Sequence, residues 1–456
     1  MLLTRRSLLL AGLLGPVLPA LAAAAPGPVH AVVHSAALPV GDSTVTLAGD
    51  EQLVGVTWPL RAPAPSVRLR WLTAAGWTSW ERPEQDESTR ATRAGTEPVW
   101  RPRGATRVEL DVRGAAHDLR LVRVADGPAP RSRTAVAHAA ERHPLLGVVH
   151  RRADWGADES RRNGAPSYAS TVSAVVVHHT AGSNDYAQAD VPRRIRADYA
   201  YHVDARGWDD LGYNLVVDAF GGIWEGRAGG LGRATIGSHA AGFNTATLGV
   251  SLLGDMTRAL PTSEAVRAFA RVAAYAAATW RFDPRGTVTL TSRGGPRYAS
   301  GTRVTLPRVL GHTDVGRTAC PGALMDRLEE VRRTAAALLG PAPRVLGVDV
   351  SGAPVSAPRP LVITGRLDRS APWTAALRDD TGAIVTRAAG ESATPRLEWD
   401  GLRPLPLTST TGAAAGLPAL LPAAPGRYTW AVAVDDGVHA RARREGVVEV
   451  GLPLVG

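Results

Sequence analysis

Two short stretches of this chain carry residue types able to do chemistry. Val177-His178-His179-Thr-Ala-Gly182 ends an apolar run on two imidazoles. Gly311-His312-Thr-Asp-Val-Gly-Arg-Thr318-Ala-Cys320-Pro-Gly322 adds a further imidazole and the only cysteine of the 456 residues. Two histidines and a thiolate leave one tetrahedral position on a zinc ion open, the arrangement of a hydrolytic rather than a structural site. Water bound there loses a proton near neutral pH and becomes a nucleophile. His178 and His179 are adjacent on an expected strand, where consecutive side chains point to opposite faces, so only one easily reaches a shared ion. The pattern alone does not choose between them. A lone cysteine excludes an internal disulfide; in an exported chain the thiol is either a liability or has a task, of which metal ligation is the obvious one.

The elements that must hold these groups read as a mixed α/β segment from about 147 to 340. Ala174-Val-Val-Val-His178 is a continuous apolar run, as in a buried strand, and Leu215–Val217 and Leu248–Leu253 are further strands. Asp190 and Pro192 suit a helix start, after which Ile195, Tyr199 and His202 recur at helical spacing. Ser263 opens a helix to about Trp280, residues 283–308 read as a hairpin-like insertion, and a last helix runs from about Leu324 to Leu339.

At this point the chain resembles a known family, the peptidoglycan-recognition and type 2 amidase family. The residues that carry the resemblance are Asp154-Trp-Gly-Ala157, Val177 to Gly182, Tyr201-His202, Gly207-Trp-Asp-Asp-Leu-Gly-Tyr-Asn214, Ile223-Trp-Glu-Gly-Arg227, Gly237-Ser-His239, Leu248-Gly-Val250 and Gly311 to Gly322. The resemblance runs from Arg151 to Leu339, about two fifths of the chain. It implies a zinc N-acetylmuramoyl-L-alanine amidase that cleaves the amide between the muramic acid lactyl group and L-alanine of peptidoglycan. It places Zn2+ on His178, His312 and Cys320, and the catalytic tyrosine on Tyr213. Where some members carry a lysine two residues before the cysteine, this chain has Thr318, the candidate donor to the developing oxyanion. It implies contacts to muramyl peptide from His239, with His202, Trp208 and Arg227 as further candidates. Some members place a glutamate base in the strand matching Leu248–Leu253; here the nearest residue is Ser251, so the general base is open. Asp314 reads either as a carboxylate orienting a ligand or as a turn residue. The alternative to an amidase is a non-catalytic protein that holds muramyl peptide; such relatives tend to lack the cysteine or the first histidine.

The flanks are β-rich. Residues 28–125 read as a β-sandwich: Val67–Trp71, Arg107–Val112 and Leu119–Val124 alternate with period two. Its crowded Trp58, Trp71, Trp77, Trp80 and Trp100 read as core rather than as a sugar-stacking face. Residues 126–146 read as a linker. Residues 343–456, with Trp373, Glu398-Trp-Asp-Gly401 and Gly426-Arg-Tyr-Thr-Trp430, resemble the Ig-like domain of flagellar-hook assembly proteins. The expected fold class is therefore multidomain, with a central α/β unit between two β-sandwiches.

The start, Met1-Leu-Leu-Thr-Arg5-Arg6-Ser followed by an apolar run to Leu21 and Ala22–Ala25, reads as a signal peptide over residues 1–25. Its arginine pair suits the twin-arginine route. The run is shorter than the roughly 20 residues a membrane span needs. Location outside the cell or in its wall follows as an expectation, with no stable membrane span after signal removal. Net charge is +10, and all 52 basic residues other than histidine are arginine. They are scattered with no dense basic run, so a nucleic-acid partner is not expected. Oligomeric state is not legible.

Overall fold

The structure is a computed structural model. It describes residues 31–85, 91–126, 141–352, 360–404, 420–422, 424–439 and 441–451. The expected signal peptide, and residues 127–140 of the expected linker, lie outside them.

The central unit is a seven-stranded mixed sheet. In spatial order its strands are Glu141–His143, Gly147–His150, Ile223–Glu225, Leu215–Val217, Thr247–Leu252, Ala174–His179 and Val309–Gly311. Ala174–His179 lies between parallel neighbours on both sides, and every residue in it is buried. That explains its unbroken valine run: a strand covered on both faces has no polar side to show. The first strand begins at Glu141, so residues 141–146 belong to the central sheet and not to a linker. His143 Nδ1 accepts the N–H groups of Leu145 (3.2 Å) and Leu146 (3.3 Å), closing the turn that ends on Gly147.

Helix α1 (Val191–Ala200), helix α2 (Ser263–Trp280) and helix α3 (Leu328–Leu338) cover the sheet. Alanine and valine along α2 pack against Val175, Val177, Leu215 and Val250. The cap of α2 is Thr262 rather than Ser263: its backbone is extended and its hydroxyl accepts Ala265 N–H at 3.1 Å. Leu324 sits in a 3₁₀ turn, Gly322–Arg327, and the α-helix starts only at Leu328. Thr287–Thr291 and Arg303–Pro307 form the expected hairpin.

The N-terminal region holds two antiparallel sheets that share one apolar cluster, including Val54, Val56, Leu69, Val108 and Leu110. Trp58, Trp71 and Trp100 are buried as expected, but Trp77 is exposed and Trp80 half-buried. The Arg70 guanidinium lies over both of those outer rings (4.9 and 4.6 Å).

This region is joined to the central unit by a packed interface. Leu53, Trp100, Val122 and Val124 form one cluster with Ala197, Ala200, Tyr201 and Ala205. Trp100 Nε1 donates to Asp198 Oδ1 (3.3 Å), Tyr201 Oη to Thr96 O (2.8 Å), and Arg206 Nε to Arg93 O (2.9 Å). A Cβ at Gly55 would overlap the Tyr201 ring, and one at Gly182 would overlap Trp100. Backbone on each side therefore approaches an aromatic ring on the other, which only glycine permits.

In the C-terminal region a four-stranded and a three-stranded antiparallel sheet share a cluster that includes Leu361, Ile363, Trp399, Leu377, Tyr428 and Val432. Among the described residues no helix is long and apolar enough to cross a membrane.

Candidate metal centre and cleft

The strand Ala174–His179 delivers its last two residues to opposite faces, and the structure chooses between them. His178 faces His312 (ring centroids 4.5 Å apart), His239 (5.0 Å) and Tyr213 (5.4 Å). His179 turns the other way, where its Nδ1 accepts Met256 N–H (2.9 Å) and lies 3.7 Å from Asp255. One ligand atom from each of His178, His312 and Cys320 falls within 4.8 Å of the others. Cys320 Sγ is 3.8 Å from His178 Nδ1 and accepts His179 N–H at 3.3 Å.

Local chemistry explains this convergence. Val309–Gly311 runs parallel to Ala174–His179 and pairs Gly311 with Val177, so His312 leaves the sheet beside His178. A 3₁₀ turn then reverses the chain, with Asp314 Oδ2 accepting Gly311 N–H at 2.9 Å. Asp314 is thus the turn residue of the two readings. Thr313 N–H donates to Cys320 O (2.8 Å), which folds the loop back so that the thiol meets the imidazoles.

Burial sets the electrostatics. It holds the His178 imidazole well below its ordinary pKa, helped by His312 and His239. It lowers His312 to about 4, with a smaller push from His179. Both rings are therefore neutral at pH 7, the form that ligates metals. Burial also raises the Cys320 thiol well above its usual value, opposed by the His179 N–H and reinforced by Glu84, Glu97 and Asp255. A bound cation reverses that balance and deprotonates a ligating thiol. His312 Nε2 is buried with no protein partner. Two imidazoles, one thiol and an orphaned ring nitrogen fit a zinc ion.

The cavity beside this trio is lined by Tyr213, Trp208, Ser238, His239 and Thr318 from the central unit. The other sequence candidates are placed differently. His239 reaches the cavity, and its Nδ1 is 3.0 Å from His178 Nε2. It occupies a slot where a Cβ at Gly237 or Gly249 would strike its ring. His202 does not line the cavity. The chain beyond α1 widens into a π turn, Tyr201–Ala205, that buries the ring stacked on Trp208 (4.3 Å), and burial with Arg206 and Arg227 nearby drives its pKa to about 3. Arg227 is also buried, donating to Leu211 O at 3.1 Å. Both are corrections: these side chains support the wall of the cleft from behind. Thr318 lines the cavity but donates its hydroxyl proton to Glu84, so it has none to offer an oxyanion while that bond stands.

Sequence reasoning missed Glu84 and Glu97. These are the carboxylates that line the cavity, and both come from the N-terminal region. Glu84 lies 234 residues from Thr318, and nothing in its local sequence marks it. On the strand where some relatives carry glutamate, Ser251 is fully buried with its Oγ unpartnered.

Comparison with known proteins bears on the central unit. The family described as N-acetylmuramoyl-L-alanine amidase matches residues 168–323. Peptidoglycan-recognition protein SC2 of Drosophila simulans is 31% identical over 180 residues, 39% of this chain and 83% of that protein. Peptidoglycan recognition protein 1 of Bos taurus is 33% identical over 177 residues, 39% of this chain and 79% of that protein. The human N-acetylmuramoyl-L-alanine amidase is 32% identical over 191 residues, 40% of this chain but 28% of that protein. Among solved structures, Drosophila PGRP-LB aligns with 26% identity and a TM-score of 0.32, covering 40% of this chain and 92% of that one. Through its central unit, the chain belongs to the family of peptidoglycan-recognition proteins and N-acetylmuramoyl-L-alanine amidases.

Proposed function

We propose that this protein is a zinc-dependent amidase that hydrolyses the bond between the muramic acid lactyl group and L-alanine in peptidoglycan. The convergence of His178, His312 and Cys320 beside Tyr213 in one cavity carries the reading. The substrate class is taken from the relatives, which are named for peptidoglycan recognition or for this amidase activity. His178, His312 and Cys320 would hold the ion. Bound there, zinc supplies a Lewis acid for the scissile carbonyl and an acidified water.

The chain's own residues do the rest. His239 fixes the ring orientation of His178 through the Nδ1–Nε2 contact. Tyr213, backed by the edge of His202 at 5.9 Å, sets its phenol at the cavity wall to donate to the oxyanion that forms on the scissile carbonyl. Trp208, stacked on His202, closes another wall and excludes water.

The test uses full-length protein and purified insoluble peptidoglycan. New L-alanine amino termini should appear, vanish with a chelator and return with zinc. Retention on peptidoglycan with no amine release under any zinc condition would replace this reading by a non-catalytic holding role.

Three further readings of the chain join this proposal. The N-terminal pair of sheets is a β-sandwich. The C-terminal pair is Ig-like, which a tyrosine near the start of the strand Gly426–Val434 supports: Tyr428 Oη donates to Ala424 O at 2.7 Å, the corner bond of such domains. The protein acts outside the cell, delivered by its arginine-pair signal; fractionation that finds it in the cytoplasm would remove that assignment.

A further inference from the structure

We propose that Glu84 is a positioning residue for Cys320, so that the metal centre is assembled by two regions of the chain rather than by the family's segment alone. The proposal rests on the reading of Cys320 as a ligand. Its basis is a chain of bonds. Both carboxylate oxygens of Glu84 are engaged by the loop that carries the cysteine. One accepts the Thr318 hydroxyl, and the other accepts Ala319 N–H at 2.8 Å. Thr318 Oγ1 in turn accepts Cys320 N–H at 2.9 Å. Glu84 therefore grips the residues two before and one before the thiol, and its grip passes to the cysteine's own backbone.

A carboxylate on a mobile segment would order nothing, but this one is braced on both sides. Glu81 forms a backbone bridge with Leu69, with bonds of 2.9 and 2.8 Å, and Gln85 bridges Thr96. Gln85 Nε2 donates to Pro65 O (3.0 Å), and Glu97 N–H donates to Glu84 O (2.7 Å). The segment is thus tied to both N-terminal sheets, and the one that holds Leu53, Val122 and Val124 is itself packed on α1. Rigidity on the acceptor side distinguishes a clamp from a removable plug. Two bonds to one carboxylate fix two neighbouring residues of one short loop. Within the matched segment the loop is also held by Thr313 N–H on Cys320 O, by Ala323 N–H on Met256 O and by His179 N–H on the thiol, so Glu84 adds an anchor from outside that segment.

The experiment uses the full chain with Glu84→Ala, Glu84→Gln and Thr318→Val. Arg258→Ala is the control: it removes the Arg258–Glu81 ion pair (2.8 Å) across the same interface, and the Arg258–Asp255 pair (3.5 Å), without touching the loop. Because Cys320 is the only thiol, alkylation of the metal-stripped protein by iodoacetamide reports this residue alone. Glu84→Ala and Thr318→Val should label about tenfold faster or more, through local opening of the loop. Glu84→Gln, which keeps one acceptor, should fall between them and the parent. In a chelator competition the zinc dissociation constant of Glu84→Ala should rise about 10- to 100-fold. Parent-like labelling and zinc affinity in Glu84→Ala would overturn the proposal, as would an equal change in Arg258→Ala. Neither readout requires turnover, so a parent that fails to cleave peptidoglycan would sink the amidase reading and leave this one standing.

Discussion

Asp198 offers a sharp test of how the N-terminal region is joined to the central unit. It lies on α1, buried, beneath Trp100 Nε1 and beside Arg194, whose guanidinium sits 4.4 Å above the Trp100 ring. Burial pushes its carboxyl up to about 7, against the opposing pull of the Trp100 hydrogen bond and of Arg194. In an unfolded chain the same carboxyl titrates near pH 4, at roughly 3.9. Between these values the folded protein holds a proton that the unfolded chain has lost. Stability from this group is therefore fully present below about pH 4, falls as pH rises, and levels off once the folded carboxyl ionises near 7. A rise of about three pKa units at about 1.4 kcal/mol each is about 4 kcal/mol across the window. Asp198→Asn accepts the same Trp100 N–H and cannot ionise. Denaturant unfolding followed by tryptophan fluorescence at pH 5, 6 and 7 should show the parent losing about 1.3 kcal/mol over the first step and about 1 kcal/mol over the second, relative to the variant. Parallel pH profiles for the two proteins would refute the reasoning, because the carboxyl would then be ionised in both states.

Other outcomes follow from the cleft. Gly249→Ala places a methyl group against the His239 ring. It should destabilise the fold by about 1–3 kcal/mol in a thermal melt and weaken zinc about tenfold or more in a competition assay as His178 loses its orientation. Tyr213→Phe should keep parental zinc content by elemental analysis while amide hydrolysis falls about 10²- to 10³-fold; a parental rate would remove the phenol from the mechanism. Trp100→Ala should lower unfolding stability by about 3–5 kcal/mol, since it empties a buried indole site between two regions.

The parts of this structure readable from sequence were those with a short period or a local constraint. The valine run ending at His178 could only be a strand covered on both faces, and Asp190 with Pro192 marked the start of α1 within a residue. The pairing of His312 with Cys320 was legible because a lone thiol near a histidine is uncommon. The choice of His178 over His179 came from the family resemblance; strand alternation gave only that the two must separate. The sequence left His202 and Arg227 open between core and cleft, because exposure is a tertiary property. The π turn after α1 and the backbone carbonyl of Leu211 have no signature in residue type. Glu84 was out of reach for a different reason. Its partner is in another region of the chain, and only the packing of Trp100 and Tyr201 at the interface brings the two together.

The reciprocal glycine contacts at that interface limit how the chain can change. A methyl at Gly182 collides with an indole, and one at Gly55 collides with a phenol ring. Enlarging either surface demands a simultaneous reduction of its counterpart, so single-residue drift there is blocked in both partners. Recombination that swaps one of the two regions for a homologue would have to import matching small residues along with it. The joint therefore behaves as an inherited unit, passed on whole or lost whole.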